Sequence, residues 1–417
     1  MTATASSLLS ALPGRHVARC GMTFTEVGFG GAAIGNLAVA TTERDAADAL
    51  SAAWAGGVRY VDTAPHYGLG LSEHRIGSWL ANRRPGRSRP LLSTKVGRLL
   101  EPVADAPTGR DAEGFAVRAT HRRVRDYSAD GVRRSLEASL VRLGVDRIDI
   151  ALVHDPDDFW EEASTQALPA LVRMREEGIV GAVGVGMNQA DMLTRFVRET
   201  DVDLVMPAGR CTLLDASGLK DLLPEALRRG VGVLAAGVFN SGLLACDEPQ
   251  AHAHFDYRPA PPHLVQRARR LAALCREHGS TLPAAAMHYV LRHPAVVSAS
   301  SGCGRPPKRG ATWRCTPIRH RRRCGGRCAP KGCRSPGTSS EPDGGPGGRT
   351  RWRQRSGRRQ AASQTNPSGS VKDAVPAMTT GAIPSRRRRW PLPSSTDCSS
   401  PTGAGALREL EQRSCAW

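Results

Sequence analysis

The chain has 417 residues and a formal net charge of +19 at pH 7, and residues 301–417 carry +18 of that charge. No run of about 18 consecutive apolar residues predicts a membrane-spanning helix, and the N-terminus lacks the basic and apolar regions of a secretory signal peptide. The four cysteines of the first 300 residues are scattered. These features favour a cytoplasmic protein that does not bind membranes.

Short apolar strands alternate with longer amphipathic segments through the first 300 residues, which favours parallel βαβ units. The predicted order is strand 23–30, helix 44–57, a strand ending at 62, helix 72–82, a strand ending at 95, helix 128–143, strand 148–153, helix 163–177, strand 182–185, helix 189–199, strand 202–206, helix 218–229, strand 231–236 and helix 262–278. Helix 282–292 then leads into the start of an eighth strand at 295–298. Eight such units predict a single (β/α)8 TIM barrel over residues 21–300, preceded by a flexible N-terminus of residues 1–20.

Four chemically active side chains follow predicted strands at their C-terminal ends, where a parallel α/β barrel keeps its chemistry. Asp62 and Tyr67 follow one strand, Lys95 ends the next, and His154 follows the strand 148–153. A nearby Lys95 ammonium is expected to favour the phenolate and to lower the pKa of Tyr67 from about 10. Tyr67 would then serve as a general acid and base.

Asp62 and His154 complete the predicted catalytic group. Asp62 is expected to hold Lys95 by a charged hydrogen bond, and His154 to orient a substrate oxygen toward Tyr67. Such a set suits the interconversion of a carbonyl and an alcohol. Each residue taken alone has a structural alternative: a strand-ending turn at 62–65, a solvated charge at Lys95, or a buried hydrogen-bonded histidine at 154.

The motifs YVDTAPHYG, STK and LVHDPDD resemble the Asp, Tyr, Lys and His tetrad of the aldo-keto reductase superfamily. The segments APHYGLGLSE, HDPDDFW and AGRCTLLD look like its branch of aldose 1-dehydrogenases and pyridoxal dehydrogenase, and the resemblance covers about residues 23–298. It implies an oxidoreductase that uses NAD or NADP to interconvert an aldehyde or lactol with an alcohol or lactone, on a sugar- or pyridoxal-type substrate. It also implies that His66, Asp155 and Trp160 bind the substrate.

The same resemblance implies a set of cofactor-binding residues. Asn188 would bind the nicotinamide carboxamide, although a turn residue with unusual backbone angles is the alternative. At Cys211 the family usually carries an aromatic residue that stacks on the nicotinamide, so weaker or altered cofactor affinity is expected. The glycines of the segment 237–244 would let the backbone approach the pyrophosphate. The full expected set is Gly30, Asn188, Arg210, Cys211, Asn240, Ser241, Gly242 and Leu243.

Composition changes abruptly near residue 299. Residues 301–417 contain 24 Lys and Arg against 6 Asp and Glu, and seven of the eleven cysteines. This segment is rich in Arg, Pro, Gly and Ser and has no sustained apolar periodicity, so we expect it to be disordered.

Three interpretations of this tail compete. Arginines 386–389 with Trp390 could contact nucleic acid or another anionic surface, without sequence specificity. His320 with Cys324, Cys328 and Cys333 could be metal ligands, but their spacing matches no common zinc module, and no metal site is expected.

The favoured interpretation is translation in the wrong reading frame. Codons for residues 302–315, read from their third bases, permit Val-Arg-Pro-Thr-Ala-Glu-Ala-Arg-Arg-Asp-Met-Ala-Leu-Tyr, which resembles the family's adenosine-binding segment after strand eight. The eighth βα unit would then be incomplete, and the activity of the chain as written is in doubt. The alternative function is a catalytically impaired barrel that acts as a binding protein, with its basic tail contacting nucleic acid or other polyanions.

Overall fold

Strands and helices alternate along the chain in the computed structural model, which describes residues 12–83, 88–104 and 109–302. The strands are β1 (Gly14–Val17), β2 (Met22–Thr25), β3 (Val27–Gly30), β4 (Tyr60–Asp62), β5 (Leu91–Val96), β6 (Arg98–Pro102), β7 (His121–Arg125), β8 (Ile148–His154), β9 (Val180–Met187), β10 (Leu204–Pro207), β11 (Gly232–Ala235), β12 (His254–Phe255), β13 (Arg258–Pro259) and β14 (Val296–Ser301). The α-helices are α1 (Glu43–Ala55), α2 (Leu71–Ala81), α3 (Ala129–Leu143), α4 (Trp160–Glu162), α5 (Leu168–Glu176), α6 (Ala190–Glu199), α7 (Leu222–Arg229), α8 (Pro262–Glu277) and α9 (Leu282–Leu291). No helix in these described ranges is long and apolar enough to cross a membrane.

Eight of the strands form a closed parallel barrel in the order β3, β4, β5, β8, β9, β10, β11 and β14. The ring closes because β14 pairs with β3, with Ala299 opposite Val27. The predicted TIM barrel is therefore confirmed. Its eighth strand, whose start was predicted at 295–298, runs from Val296 to Ser301.

The predicted tail lies outside the described residues from Cys303 onward. The same holds for its arginine and cysteine groups and for the part of the eighth βα unit that was predicted to be incomplete. Disorder of the tail and its origin in a shifted reading frame therefore remain predictions.

Alternation along the barrel strands decides which side chains face the interior. On β8, Ile150 and Leu152 belong to the apolar cluster inside the barrel. Ala151 and Val153 instead belong to the layer between the strands and the surrounding helices. His154 continues the inward-facing series at the C-terminal end of this strand.

Asp62 and Lys95 occupy equivalent inward-facing positions on their own strands. Tyr60, two residues before Asp62, belongs to the interior cluster. Val96, next to Lys95, belongs to the outer layer. Asp62, Lys95 and His154 therefore project toward the same end of the barrel interior, and the adjacent pairing of β4 with β5 and of β5 with β8 brings them close together.

An antiparallel hairpin of β1 and β2 extends the ordered chain into the predicted flexible N-terminus. Its Val17 and Phe24 join the interior cluster of the barrel. Arg15 pairs with Glu26 at 2.7 Å and donates a hydrogen bond to the Val296 carbonyl at 2.7 Å. Apolar packing and an ion pair thus hold residues 14–17 in place. A search for hydrophobic periodicity does not detect such contacts in so short a segment.

The predicted strand 23–30 is in fact two strands that meet at Glu26. The Glu26 N–H donates to the Pro13 carbonyl at 2.9 Å and its carboxylate pairs with Arg15, so the chain changes direction at this polar residue.

The predicted start of helix 128–143 agrees with the observed start of α3. Ser128 Oγ accepts a hydrogen bond from the Gly131 N–H at 3.0 Å and caps the helix.

The hairpin of β6 and β7 was not predicted, because its strands carry arginines where an amphipathic strand would alternate with apolar residues. Arg123 on β7 donates to the His66 carbonyl at 2.9 Å, and Arg98 on β6 donates to Asp155 at 2.5 Å. Phe115, between the two strands, bridges to Leu37. The hairpin segment therefore lies beside the C-terminal end of the barrel.

A buried ion pair connects α2, β5 and α3 behind the barrel wall. The fully buried Glu73 accepts a hydrogen bond from Thr94 Oγ1 at 2.6 Å and pairs with Arg142 Nε at 2.6 Å. Removing one partner of such a pair leaves a charge without compensation in a poorly solvated place.

We expect Glu73→Ala to lower the free energy of unfolding by about 3 kcal/mol or more, because Arg142 loses its buried partner. The matched control is Glu177→Ala, which removes a pair with Arg133 whose side chains are 44% and 39% exposed and should cost about 0–1 kcal/mol. Urea unfolding followed by circular dichroism measures both variants. Equal losses in the two would contradict the buried-pair assignment.

Candidate functional site

Lys95 is the centre of the site. Its Nζ donates to Asp62 Oδ2 at 2.8 Å and Oδ1 at 3.0 Å, to the Thr63 carbonyl at 3.0 Å, and lies 3.0 Å from Tyr67 Oη. The side chains of Lys95 and Asp62 are 3% and 5% exposed. The structure therefore brings Asp62, Tyr67 and Lys95 together in the predicted arrangement.

A second layer of hydrogen bonds fixes Asp62. Ser93 Oγ donates to Asp62 Oδ1 at 2.6 Å and lies 2.9 Å from Tyr60 Oη. Because the single Ser93 proton goes to the carboxylate, Tyr60 donates to Ser93. Burial, with the Asp62 carboxylate acting in the same direction, raises the pKa of Tyr60 well above 10 and keeps this donor protonated.

The electrostatics of Tyr67 differ from the prediction. Burial raises the pKa of Tyr67 to about 12, although the neighbouring Lys95 charge lowers it. The expected direction of the Lys95 effect is correct, but the expected net decrease is wrong, because desolvation of the phenolate is the larger effect. Tyr67 is therefore a protonated donor at neutral pH.

Lys95 keeps its charge in this buried place. Burial favours the neutral amine, but the Asp62 carboxylate and Tyr67 outweigh it, and the pKa of Lys95 is raised. A proton leaving Tyr67 would thus leave the phenolate 3.0 Å from a fixed ammonium.

Two imidazoles border the Tyr67 ring. The ring centroids of His154 and His66 lie 6.1 and 6.0 Å from that of Tyr67, and 5.6 Å from each other. Phe115 packs against the same group, with its centroid 5.2 Å from His66 and 6.2 Å from Tyr67. These four rings form one wall of the site.

Both imidazoles are neutral. Burial, followed by the positive charge of Arg98, lowers the pKa of His154 well below 6.5. Burial, then Arg98 and Arg123, lowers the pKa of His66 to about 2. His154 Nδ1 is buried and has no hydrogen-bond partner among the described residues, while Nε2 lies 3.5 Å from Asp155 Oδ2.

Apart from Gly30, the predicted cofactor residues lie on the loops that follow β9, β10 and β11. Arg210 connects these loops: it donates to the Asn188 carbonyl, Asp215 and Asp256, each at 2.7 Å. Asn188 itself is exposed. Its side chain is thus accessible, whereas the Arg210 guanidinium already has two carboxylate partners.

The loop after β11 has an unusual backbone. Asn240, Ser241 and Gly242 follow one another with φ values of 44°, 53° and 90°, in the left-handed region that favours glycine. Asn240 Nδ2 donates to the Gly209 carbonyl at 3.2 Å, and its Oδ1 is buried without a hydrogen-bond partner among the described residues. Ser241 Oγ accepts from the Tyr257 N–H at 3.0 Å.

Three of the predicted site residues pack against other side chains of the protein: Cys211, Leu243 and Trp160. Cys211 is 2% exposed within the hydrophobic core, and Leu243 is 1% exposed in the cluster beneath α8 and α9. Trp160 packs on Phe196, with centroids 4.5 Å apart, and under the Arg195 guanidinium, so its contacts are with α6. The cofactor role of Cys211 and Leu243 and the substrate role of Trp160 remain predictions.

Gly30 ends β3 opposite Asp62, where a side chain would meet the backbone of Gly302 at 3.5 Å. This is an ordinary van der Waals distance, so the packing at this position does not by itself require glycine. Within the described ranges, no three His, Cys, Asp or Glu side chains cluster as the ligands of a metal ion would.

Sequence reasoning missed the residues that support the tetrad: Tyr60, Ser93, Arg98, Phe115 and Arg123. Ser93 was visible as the residue two before Lys95 on the same strand face, a spacing that could have identified it. Arg98, Phe115 and Arg123 belong to a hairpin without apolar alternation, so their arrival at the site depends on tertiary structure.

Comparison with known proteins agrees with this geometry. A model of the Aldo/keto reductase family matches residues 26–307. The chain is 44% identical over 292 residues to a D-threo-aldose 1-dehydrogenase of a Pseudomonas species, covering 69% of this chain and 88% of that protein. It is 38% identical over 316 residues to the pyridoxal 4-dehydrogenase of Microbacterium luteolum, covering 72% and 91%. The solved glycerol dehydrogenase of Gluconobacter oxydans superposes with a TM-score of 0.57 at 25% identity, covering 70% of this chain and 86% of that one.

The neutral imidazoles predict a pH-dependent stability. Their folded pKa values lie below the unfolded value of 6.5, so the unfolded chain binds protons first as the pH falls, and stability is lost from about pH 6.5 downward. Between pH 7 and pH 5 the His66 imidazole should cost about 2 kcal/mol of unfolding free energy, and His154 should act in the same direction. His66→Gln and His154→Gln should each reduce this loss, measured by urea unfolding across that range. The exposed His74 provides the control variant, His74→Gln, and an equal effect of all three replacements would contradict the assignment.

Proposed function

Because the chain belongs to the aldo/keto reductase family, we propose that it interconverts the lactol or aldehyde of a sugar-type substrate with its lactone or alcohol, using Tyr67 as general acid and base. The chain is an NAD(P)-dependent oxidoreductase, as its family and its dehydrogenase relatives indicate. The observation that carries the proposed proton transfer is the 3.0 Å contact between Tyr67 Oη and the buried Lys95 ammonium.

The proton moves at Tyr67 Oη. In the direction of reduction, Tyr67 donates its proton to the carbonyl oxygen, and the phenolate that forms is stabilised by Lys95 Nζ. In oxidation the phenolate removes the proton of the substrate hydroxyl. Asp62 holds Lys95 in place through both carboxylate oxygens, so the ammonium does not need to reorganise during the transfer.

His154 orients the reacting oxygen. A neutral imidazole carries one N–H, and the Asp155 carboxylate 3.5 Å from Nε2 favours the tautomer with the proton on Nε2. This N–H can donate to a substrate oxygen beside Tyr67. A charged imidazolium would be disfavoured here because of burial and the nearby Arg98 and Lys95 charges.

The loops at this end of the barrel fit a nicotinamide cofactor, which supplies or accepts the hydride when bound. Asn240 offers a buried amide oxygen that lacks a partner among the described residues, and it begins three successive residues with a left-handed backbone, Asn240, Ser241 and Gly242. Asn188 would hold the carboxamide with its exposed side chain. The choice between NAD and NADP depends on residues after β14.

Tyr67→Phe tests the proton transfer. We expect turnover to fall by at least about 10²-fold, with cofactor affinity nearly unchanged, because only the acidic hydroxyl is removed. Steady-state rates with an aldose and NAD(P), beside quenching of protein fluorescence by NAD(P)H, measure the two quantities. Tyr289→Phe on α9 is the control. Loss of cofactor binding in Tyr67→Phe, or normal turnover, would contradict the role.

Lys95→Met tests the electrostatic support. Lys95 lowers the pKa of Tyr67, so its removal should raise that pKa further above about 12. The oxidation rate, which requires the phenolate, should then begin to rise at a higher pH than in the wild type. Rate profiles between pH 7 and pH 11 measure the shift, with Lys95→Arg as a variant that keeps the charge. A profile that stays in place or moves to lower pH would show that Lys95 does not act on Tyr67.

A further inference from the structure

Arg98 holds two side chains that take no part in the proton transfer. Its Nη2 donates to Asp155 Oδ2 at 2.5 Å, and its Nη1 lies 3.4 Å from His66 Nδ1. The Arg98 side chain is 11% exposed and comes from β6, three residues after Lys95. One guanidinium thus fixes one group on the loop after β4 and one at the end of β8.

The contacts of Arg98 determine which hydrogen bonds His66 and Asp155 can make with a ligand. A guanidinium only donates hydrogen bonds, so His66 Nδ1 must accept, and the proton of the neutral ring lies on Nε2. Asp155 uses Oδ2 for Arg98, which leaves Oδ1 as an acceptor. The site therefore contains a fixed donor and a fixed acceptor in addition to Tyr67 and His154.

Both groups are held rigidly. Asp155 has a φ of 44°, its N–H donates to the Gly186 carbonyl at 2.9 Å, and its carbonyl accepts from Tyr127 Oη at 2.8 Å. The His66 carbonyl accepts from Arg123 Nη2 at 2.9 Å. These contacts hold the backbone of both residues, and the contacts of Arg98 with the carboxylate and the imidazole hold their side chains.

Charge balance favours a neutral ligand. Three arginines of the hairpin act on this group, Arg98, Arg123 and Arg125, and three carboxylates oppose them: Asp155 lies 2.5 Å from Arg98, Asp111 2.6 Å from Arg123, and Glu113 3.7 Å from Arg98. The formal charges of this group therefore balance, with no excess of positive charge for a carboxylate or phosphate of a substrate. A donor and an acceptor without net positive charge suit hydroxyl groups, each of which can donate and accept.

We propose that Arg98 determines substrate specificity by positioning Asp155 and His66 as a donor and acceptor pair for the ring hydroxyls of a cyclic sugar. This inference rests on the proposed function, since it concerns the substrate of the same site. Arg98 is a positioning residue: it acts through Asp155 and His66 and not on the reacting carbon. The substrate class is a neutral polyhydroxylated lactol.

Two lactols separate this role from a general loss of activity. The first is an aldopyranose, and the second is 2-hydroxytetrahydropyran, which has the same reacting carbon and ring but no other hydroxyl. In full-length Arg98→Gln, we expect kcat/KM for the aldose to fall at least about tenfold, mainly through KM, because charged hydrogen bonds to its hydroxyls are misplaced. The kcat/KM for 2-hydroxytetrahydropyran should stay within about threefold of wild type.

Arg122→Gln is the matched control, since Arg122 lies on the same hairpin with a side chain 70% exposed and paired to Glu101. This control variant should leave kcat/KM unchanged for both lactols. Calorimetric titration of each lactol into wild type and Arg98→Gln gives a second readout that does not require turnover, and the aldose should lose affinity selectively.

Two results for Arg98→Gln would overturn the inference. Equal losses for both lactols would place Arg98 in the acid/base step or in the fold, and no loss for either would remove it from the site. If Arg98→Gln keeps the wild-type preference while the wild type oxidises both lactols, the inference alone fails. If the wild type neither oxidises nor binds either lactol, the proposed function fails with it.

Discussion

The buried ion pair of Lys95 and Asp62 is the interaction on which the rest of the site depends. Its side chains are 3% and 5% exposed, so neither charge can be stabilised by water. Such a pair is tolerated only with good geometry and additional hydrogen bonds, and here Thr63 and Ser93 provide them. The pair brings a permanent positive charge to Tyr67 Oη inside the barrel.

The surroundings of this pair balance charge against burial. Burial and the charge of Arg98 keep both imidazoles neutral, and Arg123 adds to this effect at His66, while Asp155, Asp111 and Glu113 compensate the arginines. The same hairpin that carries these arginines also brings Phe115 against Tyr67 and His66. The proposed acid/base chemistry and the proposed substrate recognition are therefore connected through Arg98. This side chain contacts the proposed substrate-binding residues, and its charge lowers the pKa of both imidazoles.

Predictions from the sequence succeeded where a residue's position followed from its own strand. Asp62, Lys95 and His154 end adjacent parallel strands, so strand alternation and the rules of the barrel were sufficient to bring them together. The cap at Ser128 was predictable for the same local reason. Predictions carried by resemblance alone remain untested: Trp160 packs on α6 and Cys211 lies within the core, and their roles toward substrate and cofactor stay predictions.

The sequence by itself determined the barrel and the identity of the tetrad, because period-two strands, amphipathic helices and strand-end polar residues are local signals. Only the tertiary structure decided whether the pKa of Tyr67 rises or falls. The direction of the shift depends on how far desolvation of the phenolate outweighs the effect of the Lys95 charge. Tertiary structure also decided that Arg98 reaches Asp155, 57 residues away along the chain. A contact at that separation depends on the path of a hairpin with no apolar alternation, which no local pattern encodes.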